Sequence, residues 1–469
     1  MSYTVITHAT MPTRRKKGIE RLFATPAEVL EKSVGAITRG KRALTNNRPV
    51  RRAGEYWGKL GPGLTTGAAD NDPSGIATYS QAGAQYGFQL TWLTLFTFPF
   101  MAVVQEMCAR IGLVSGRGLA ANIRRHYAPS TLYTVTSLLF IANTLNIAAD
   151  LGAMAAGVRL LAPTANPEML VVLFALVSLV LQIFTSYARY AKYLKYLTLA
   201  LLSYVVTAFA VHLNWSDVLY HTVIPSFSFT RNQIFLLAAI LGTTISPYLF
   251  FWQTSQEVEE RVLHGETTVK LRQRNVNDGE IRDMRVDVWS GMFFSNLIAF
   301  FIFAATAGTL YLHGVTNIAT AADAAAALKP FSGELAYLLF ALGIIGTGLL
   351  AIPVLAGSTA YAIAESFGWR YGLYRKLKQA YAFYGVIIVS MVVGVIADFM
   401  HLDPIRGLIY AAVANGVIAP IVLFFIIRIS NNKHIMGRHK NTRSLTVVGW
   451  VTTVVMFISG VAAILTLFY

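Results

Sequence analysis

The chain has 469 residues, 55% apolar and 13% charged, with a mean hydropathy of +0.52; soluble globular proteins carry about 25% charged residues, so a water-soluble enzyme is excluded. Lys and Arg number 39 against 23 Asp and Glu, a formal net charge of +16, which reads as nucleic-acid binding only until the cations are located. The single cysteine, Cys108, excludes an intramolecular disulfide framework and a cysteine-based metal cluster.

Residues 1–57 read as a basic cytoplasmic tail. No apolar segment of signal-peptide length follows Arg14, Arg15, Lys16 and Lys17, so a cleaved leader is not expected. Thr25 and Glu28 have the spacing of a capping box for a short helix ending by Gly40. A helix lying on the anionic leaflet and a plain basic tail both fit this stretch, and the plain tail is the simpler reading.

A bilayer core of about 30 Å needs roughly 20 mostly apolar helical residues per crossing. By that measure eleven spans follow, near 58–85, 89–113, 131–161, 168–187, 193–212, 232–257, 287–312, 334–360, 381–400, 405–429 and 446–468. Of the 39 Lys and Arg, 35 fall in 1–60, 110–125, 189–195, 261–285, 370–378 and 428–443. Only Arg159, Arg231, Lys329 and Arg406 lie opposite. The asymmetry predicts an odd number of spans, with the N-terminus cytoplasmic and the C-terminus external, in a bacterial inner membrane. It also accounts for the net charge without a nucleic-acid partner.

The connection 259–286 alternates in charge and carries the tight-turn tripeptide Asn277-Asp278-Gly279, which predicts a cytoplasmic excursion with a hairpin or a helix-turn and no chemistry of its own. The predicted organisation is a first five-helix repeat over 58–212, an external loop over 213–231, a second repeat over 232–429 and a last loop and helix over 430–469.

Two spans carry helix breakers at mid-depth: Ala69-Asp70-Asn71-Asp72-Pro73-Ser74-Gly75 in the first and Gly242-Thr243-Thr244-Ile245-Ser246-Pro247-Tyr248 in the sixth. Proline removes a backbone donor and disfavours helix at the preceding residue. In hydrocarbon the freed groups must be buried in protein or line a watery cavity. The two breaks open the two five-span halves, the mark of an inverted-repeat transporter with its site at the midplane. Pro73, Gly75 and Pro247 are read as keeping the breaks open.

The stretch from Gly61-Pro62-Gly63 through Asp72-Pro73-Ser74-Gly75 to Gln81-Ala82-Gly83-Ala84-Gln85-Tyr86-Gly87 resembles the first span of the natural resistance-associated macrophage protein (NRAMP) family of divalent-metal transporters. Further matches are Gly242-Thr243-Thr244 with Pro247, Ala149-Asp150-Leu151, Arg110-Ile111-Gly112 with Gly116-Arg117, and Asn296. The resemblance covers most of 58–430. It implies an all-α inverted 5+5 repeat, the amino acid–polyamine–cation superfamily fold, with discontinuous helices 1 and 6 holding metal between them. By the same resemblance Asp72 is the central ligand, joined by the carbonyls near Ala69 and Thr243.

The chain departs from the family where ligands are expected. Asp-Pro-Gly-Asn becomes Asp72-Pro73-Ser74-Gly75, and Met-Pro-His becomes Ser246-Pro247-Tyr248. Without thioether or imidazole the donors near the breaks are oxygens from Asp70, Asp72, Ser74, Thr243, Ser246 and freed carbonyls, a set suited to hard cations such as Mg²⁺ or Mn²⁺. Asp70 has a second reading, as a helix cap or a vestibule group. Asp150, Tyr248, Glu106 and Asn296 are candidates for coupling or gating. Glu106 and Glu365, near Arg110 and Arg370 in sequence, each read either as a salt-bridged gate or as a solvated helix end, and Glu365 is taken as the solvated end.

The glutamate that the family carries three residues after its span-3 aspartate is Ala153 here, and span 9 has no interior arginine. Weak or absent proton coupling is therefore expected. A second function class stays open, a small anionic or zwitterionic solute held by the exposed half-helix amides. Asp72 would repel an unbridged anion. No phosphate loop, Ser/His/Asp arrangement or histidine pair is present, so neither enzymatic activity nor a cofactor is expected. The expected partners are the divalent cation as substrate and the lipid bilayer, with no obligate protein partner.

Overall fold

The computed structural model describes residues 61–185, 201–318, 320–400 and 404–468. The capping box at Thr25, the basic tail and the first part of span 5 lie outside the described residues. The helices are α1 (Pro62–Asp70), α2 (Pro73–Tyr86), α3 (Trp92–Ser115), α4 (Leu119–His126), α5 (Pro129–Leu161) and α6 (Pro167–Phe184). They continue with α7 (Leu202–Ala210), α8 (Arg231–Thr244), α9 (Pro247–Leu263), α10 (Val269–Arg274) and α11 (Asp278–Thr309). The last four are α12 (Leu335–Phe367), α13 (Tyr381–Asp398), α14 (Pro404–Asn431) and α15 (Arg443–Phe468), with short unlabelled helices between some of them.

Among the described residues nine stretches are long and apolar enough to cross a membrane. Two predicted spans are missing from that set for identifiable reasons. The first is interrupted between α1 and α2 and is rich in Gly, Ser, Thr, Gln and Asp, whereas the sixth, interrupted as well, is apolar enough to count as one stretch. The fifth is described only from Leu201 onward.

Local chemistry sets the boundaries. Proline stands at the start of α1, α2, α5, α6 and α9, where its missing N–H is no loss. Asn166 and Thr230 cap α6 and α8 through their side chains. Asn277 corrects one expectation. It caps α11 in a capping box with Glu280, so Asp278 and Gly279 form the first helical turn instead of a tight turn. The seventh helix therefore starts at Asp278, well before 287.

α5 packs along α12, α13 and α14, while α11 packs on α1, α2 and α3. α8 lies against α14 and α15, and α9 against α3 and α12. Helices at the margin leave apolar side chains exposed, such as Leu173, Leu176 and Val180 on α6, as expected of a lipid-facing surface. The two half-helices preceding the breaks make backbone-to-backbone crossings. A Cβ added at Gly67 would collide with the Gly291 carbonyl of α11, and one at Gly242 with the Ala412 carbonyl of α14. Small residues allow this approach, which supplies packing where lipid provides no hydrophobic drive between helices.

Gly67→Ala is expected to lower the melting temperature in detergent by several degrees, because overpacking against backbone costs about 1–3 kcal/mol or more. Gly157→Ala, whose added Cβ has its nearest neighbour at 3.6 Å, serves as the tolerated control. Equal melting of the two variants would show that the α1–α11 crossing has room to spare.

Candidate cation site between the helix breaks

The two breaks are built alike. α1 ends at Asp70; Asn71 leaves the helix (φ −85°, ψ 52°) and Asp72 is extended (φ −69°, ψ 172°) before Pro73 restarts it. α8 ends at Thr244; Ile245 (φ −117°, ψ 63°) and Ser246 (φ −85°, ψ 131°) precede Pro247. Each proline forces the residue before it into extended backbone and opens the next half-helix.

Asp72 caps α2, its Oδ1 accepting from Gly75 N at 2.8 Å and Ser74 Oγ at 2.7 Å. Its Oδ2 accepts from Asn146 Nδ2 of α5 at 3.1 Å and from Tyr248 Oη of α9 at 3.4 Å. Tyr248 also donates to the Ala69 carbonyl at 3.3 Å, so one hydroxyl spans both breaks. Ser74 and Thr243 hydroxyls lie 3.2 Å apart, and Tyr79 and Thr244 hydroxyls 2.9 Å apart. Asp70 turns to α11, where its Oδ2 accepts from Ser295 Oγ at 2.6 Å; Asn71 Nδ2 donates to the same hydroxyl at 3.1 Å.

The surroundings are dry and rich in acceptors. Asp70, Asp72 and Asp150 are 2%, 1% and 0% exposed, and among the described residues no Lys, Arg or His side chain pairs with any of them. Asp70 Oδ1, Asn71 Oδ1, Asn146 Oδ1 and both Asp150 oxygens are buried without a hydrogen-bond partner. A buried carboxylate without a counter-charge is costly, and a cation relieves that cost. Among the described residues no three acidic, histidine or cysteine side chains converge as a ready metal cage. A cation held here must draw on hydroxyl, amide and carbonyl oxygens as well.

Several predicted donors are engaged elsewhere. The Ser246 hydroxyl turns back onto its own helix, donating to the Gly242 and Thr243 carbonyls at 2.8 Å each, so Ser246 and the Thr243 carbonyl satisfy one another. Asn296 ties α11 to α3 through Thr97 and Met101 instead of joining the breaks. Glu106 is buried away from the breaks, paired with Arg110 and Arg285 and accepting from Trp289 Nε1 at 2.8 Å. Glu365 corrects the reading of a solvated helix end. It is 2% exposed and accepts from Ala121 N at 3.0 Å and Ser255 Oγ at 3.4 Å, because the α4 N-terminus sits on it and supplies donors in place of water.

Three residues that matter here were not singled out from the sequence: Asn146, Ser295 and Asp287. Asp287 of α11 accepts from the backbone N–H groups of Gly61, Gly63 and Leu64 at 2.8, 2.6 and 3.0 Å, capping α1 from another helix. An acidic residue at the mouth of an apolar span was the only available signal.

The profile of the Nramp family, natural resistance-associated macrophage protein-like, matches residues 63–466. A divalent metal cation transporter MntH of Klebsiella pneumoniae (strain 342) is 26% identical over 408 residues, covering 85% of this chain and 91% of that protein. The protein of the same description from Erwinia tasmaniensis is 24% identical over 427 residues, covering 89% and 95%. Among solved structures, the Eremococcus coleocola manganese transporter superposes with a TM-score of 0.65 at 17% identity over 85% of this chain and 84% of that one. Mhp1, a nucleobase-cation-symport-1 family transporter in a closed conformation, gives 0.54 at 14% identity over 87% and 91%. At these identities the structural likeness concerns the fold alone.

The Asp287 cap yields a direct test. With Cys108 fully buried, a cysteine introduced at Ala69, itself 0% exposed, reports on movement of α1. Asp287→Ala removes acceptors for three N–H groups and is expected to raise the labelling rate by a water-soluble maleimide several-fold. Unchanged labelling would mean that the glycine crossing holds α1 without the cap.

Proposed function

The chain belongs to the natural resistance-associated macrophage protein-like family, and on that premise we propose that it is a secondary transporter of a divalent metal cation working by alternating access. The observation that carries this reading is the buried, acceptor-rich cluster around Asp72 between two matched helix breaks. Asp72 is the central ligand. Ser74, Asp70 and the Ala69 carbonyl supply further oxygen, directly or through water, and the Thr243 carbonyl and Ser246 hydroxyl do so through the lone pairs that their mutual hydrogen bond leaves free. An all-oxygen donor set favours hard ions such as Mg²⁺ or Mn²⁺. Small Ser246 and Gly75, where the family motifs have Met and Asn, leave room for an ion that keeps part of its hydration.

Calorimetry and liposome flux with Mg²⁺, Ca²⁺, Mn²⁺ and Cd²⁺ test this. Mg²⁺ or Mn²⁺ is expected to bind and cross, and Asp72→Ala to weaken binding by at least about 10–100-fold, the effect of losing even an outer-shell partner at a metal site. Preference for Cd²⁺ would refute the hard-ion assignment. Flux of a carboxylate or bicarbonate with no divalent ion would replace the cation reading altogether.

The reading extends to energetics and orientation. Span 9 offers no interior arginine, and Tyr248 stands in the place of the family's histidine, so the ion gradient and membrane potential drive transport with weak or no proton coupling. A potential supplies about 2.3 kcal/mol per elementary charge per 100 mV, twice that for a divalent ion. The 35-to-4 partition of Lys and Arg supports a cytoplasmic N-terminus in a bacterial inner membrane, and the paired breaks support repeats over 58–212 and 232–429. In proteoliposomes, an imposed pH gradient without a metal gradient is expected to drive no uptake. Gradient-driven uptake that Asp150→Asn abolishes would establish proton coupling.

A further inference from the structure

We propose that Asn146 is a reversible cation ligand, its amide donating to Asp72 when the site is empty and turning over to present Oδ1 when a divalent cation binds. The inference rests on the cation reading above and assigns it a residue from a third helix.

Asn146 lies on α5, 0% exposed, with Nδ2 3.1 Å from Asp72 Oδ2. A carboxylate accepts only, so the amide's donor end must face it. The other end, Oδ1, is buried without a partner. Buried amide oxygens are nearly always satisfied, and one left open deep in a packed protein calls for an explanation. A role in holding the transported cation supplies one. A divalent ion on Asp72 Oδ2 repels the amide protons there and attracts an oxygen. The two ends of an amide have nearly the same shape, so rotation about the last side-chain torsion exchanges them without disturbing the packing.

The rotation also answers a second anomaly. Asp150 stands four residues further along α5, on the same face, 0% exposed and with both oxygens unpartnered. In the empty arrangement the amide directs its donors at Asp72 and gives Asp150 nothing. After rotation the Nδ2 protons leave Asp72 and are available to an acceptor such as the Asp150 carboxylate, one helical turn along α5. Gly75 has no side chain, so the first break's own amide is Asn71, whose Nδ2 is held by Ser295 and whose Oδ1 is likewise unpartnered.

The experiment is titration calorimetry of the full-length protein with Mn²⁺ and Mg²⁺ in wild type, Asn146→Leu and Asn146→Asp, with melting of the metal-free proteins as the folding check. Asn146→Leu removes donor and acceptor and is expected to weaken binding at least tenfold. Asn146→Asp keeps oxygen at the site and is expected to bind within about threefold of wild type or more tightly. Wild-type affinity in Asn146→Leu, or a loss in Asn146→Asp as large as in Asn146→Leu, shows that the amide is only a donor to Asp72 and overturns the proposal. Should either variant fail to fold, the structure of Mn²⁺-loaded wild type decides: Oδ1 at about 2.0–2.6 Å from the ion supports the assignment, and an ion ligated by Asp72 with Asn146 turned away overturns it. If wild type binds neither ion, the cation reading itself fails and this inference with it; if wild type binds and only the Asn146 outcomes fail, the cation reading stands.

Discussion

Two helices interrupted at the same depth of an apolar bundle set the terms for everything around them. Each break frees backbone donors and acceptors where no bulk water reaches, and each must be satisfied by the protein or by what it carries. The protein's answer is local on one side and remote on the other. Asp72 caps α2 through its own Oδ1, a short-range solution that any aspartate before a proline offers. The Ala69 carbonyl has no such neighbour and takes the Tyr248 hydroxyl from the opposite break. The two breaks are therefore held together by a few hydroxyls and one carboxylate, and among the described residues no buried cationic side chain strengthens them.

That arrangement makes Asp72 a structural cap through Oδ1 and the proposed ligand through Oδ2. Four donors surround its carboxylate: Gly75 N, Ser74 Oγ, Asn146 Nδ2 and Tyr248 Oη. The first two belong to the turn of α2 and can persist while a cation sits on Oδ2. The other two come from α5 and α9, and their protons point where the cation would lie. A hydroxyl accommodates an ion by swinging its proton aside and offering a lone pair, whereas an amide must turn over. Binding therefore reorganises only the contacts that join the break to its neighbours, which are also those that set the spacing of the helices.

How much of this was legible in the sequence follows from how far apart the interacting residues lie. The breaks were readable because proline and its preceding residue act over two or three positions, and Asp72-Pro73 and Ser246-Pro247 behave as that local rule requires. Apolar length marked, for the same reason, the nine spans that are long and apolar enough to cross a membrane among the described residues. Asn277 misled because Asn-Asp-Gly suits a turn and a helix start equally, and only the partner three residues on, Glu280, separates the two. The role of Ser246 was hidden because a serine one step past a helix end bonds its own backbone as readily as a ligand. Asn146, Ser295, Asp287 and Glu365 were out of reach for a different reason. Their partners lie 74 to 244 positions away in the chain, and nothing local in an apolar helix announces which polar residue will meet a break.

The same distance dependence bears on how the molecule moves. α1 is anchored at its start by Asp287, along its length by backbone contact with α11 through Gly63 and Gly67, and at its end by Asn71 and Asp70 on Ser295. All three anchors are on α11, so α1 and α11 form one unit. α2 packs on α11 as well, closely at Gly83, and adds contacts of Ser74 and Tyr79 with Thr243 and Thr244 of α8. The two-residue gap at Asn71 and Asp72 is thus a joint between two halves that share α11, the second of which is also tied to α8. For α1 to swing at that joint, it must leave three N–H groups at one carboxylate and a glycine crossing that allows no intermediate fit. Such contacts are kept or lost together, which favours two discrete positions over a graded one, as alternating access requires.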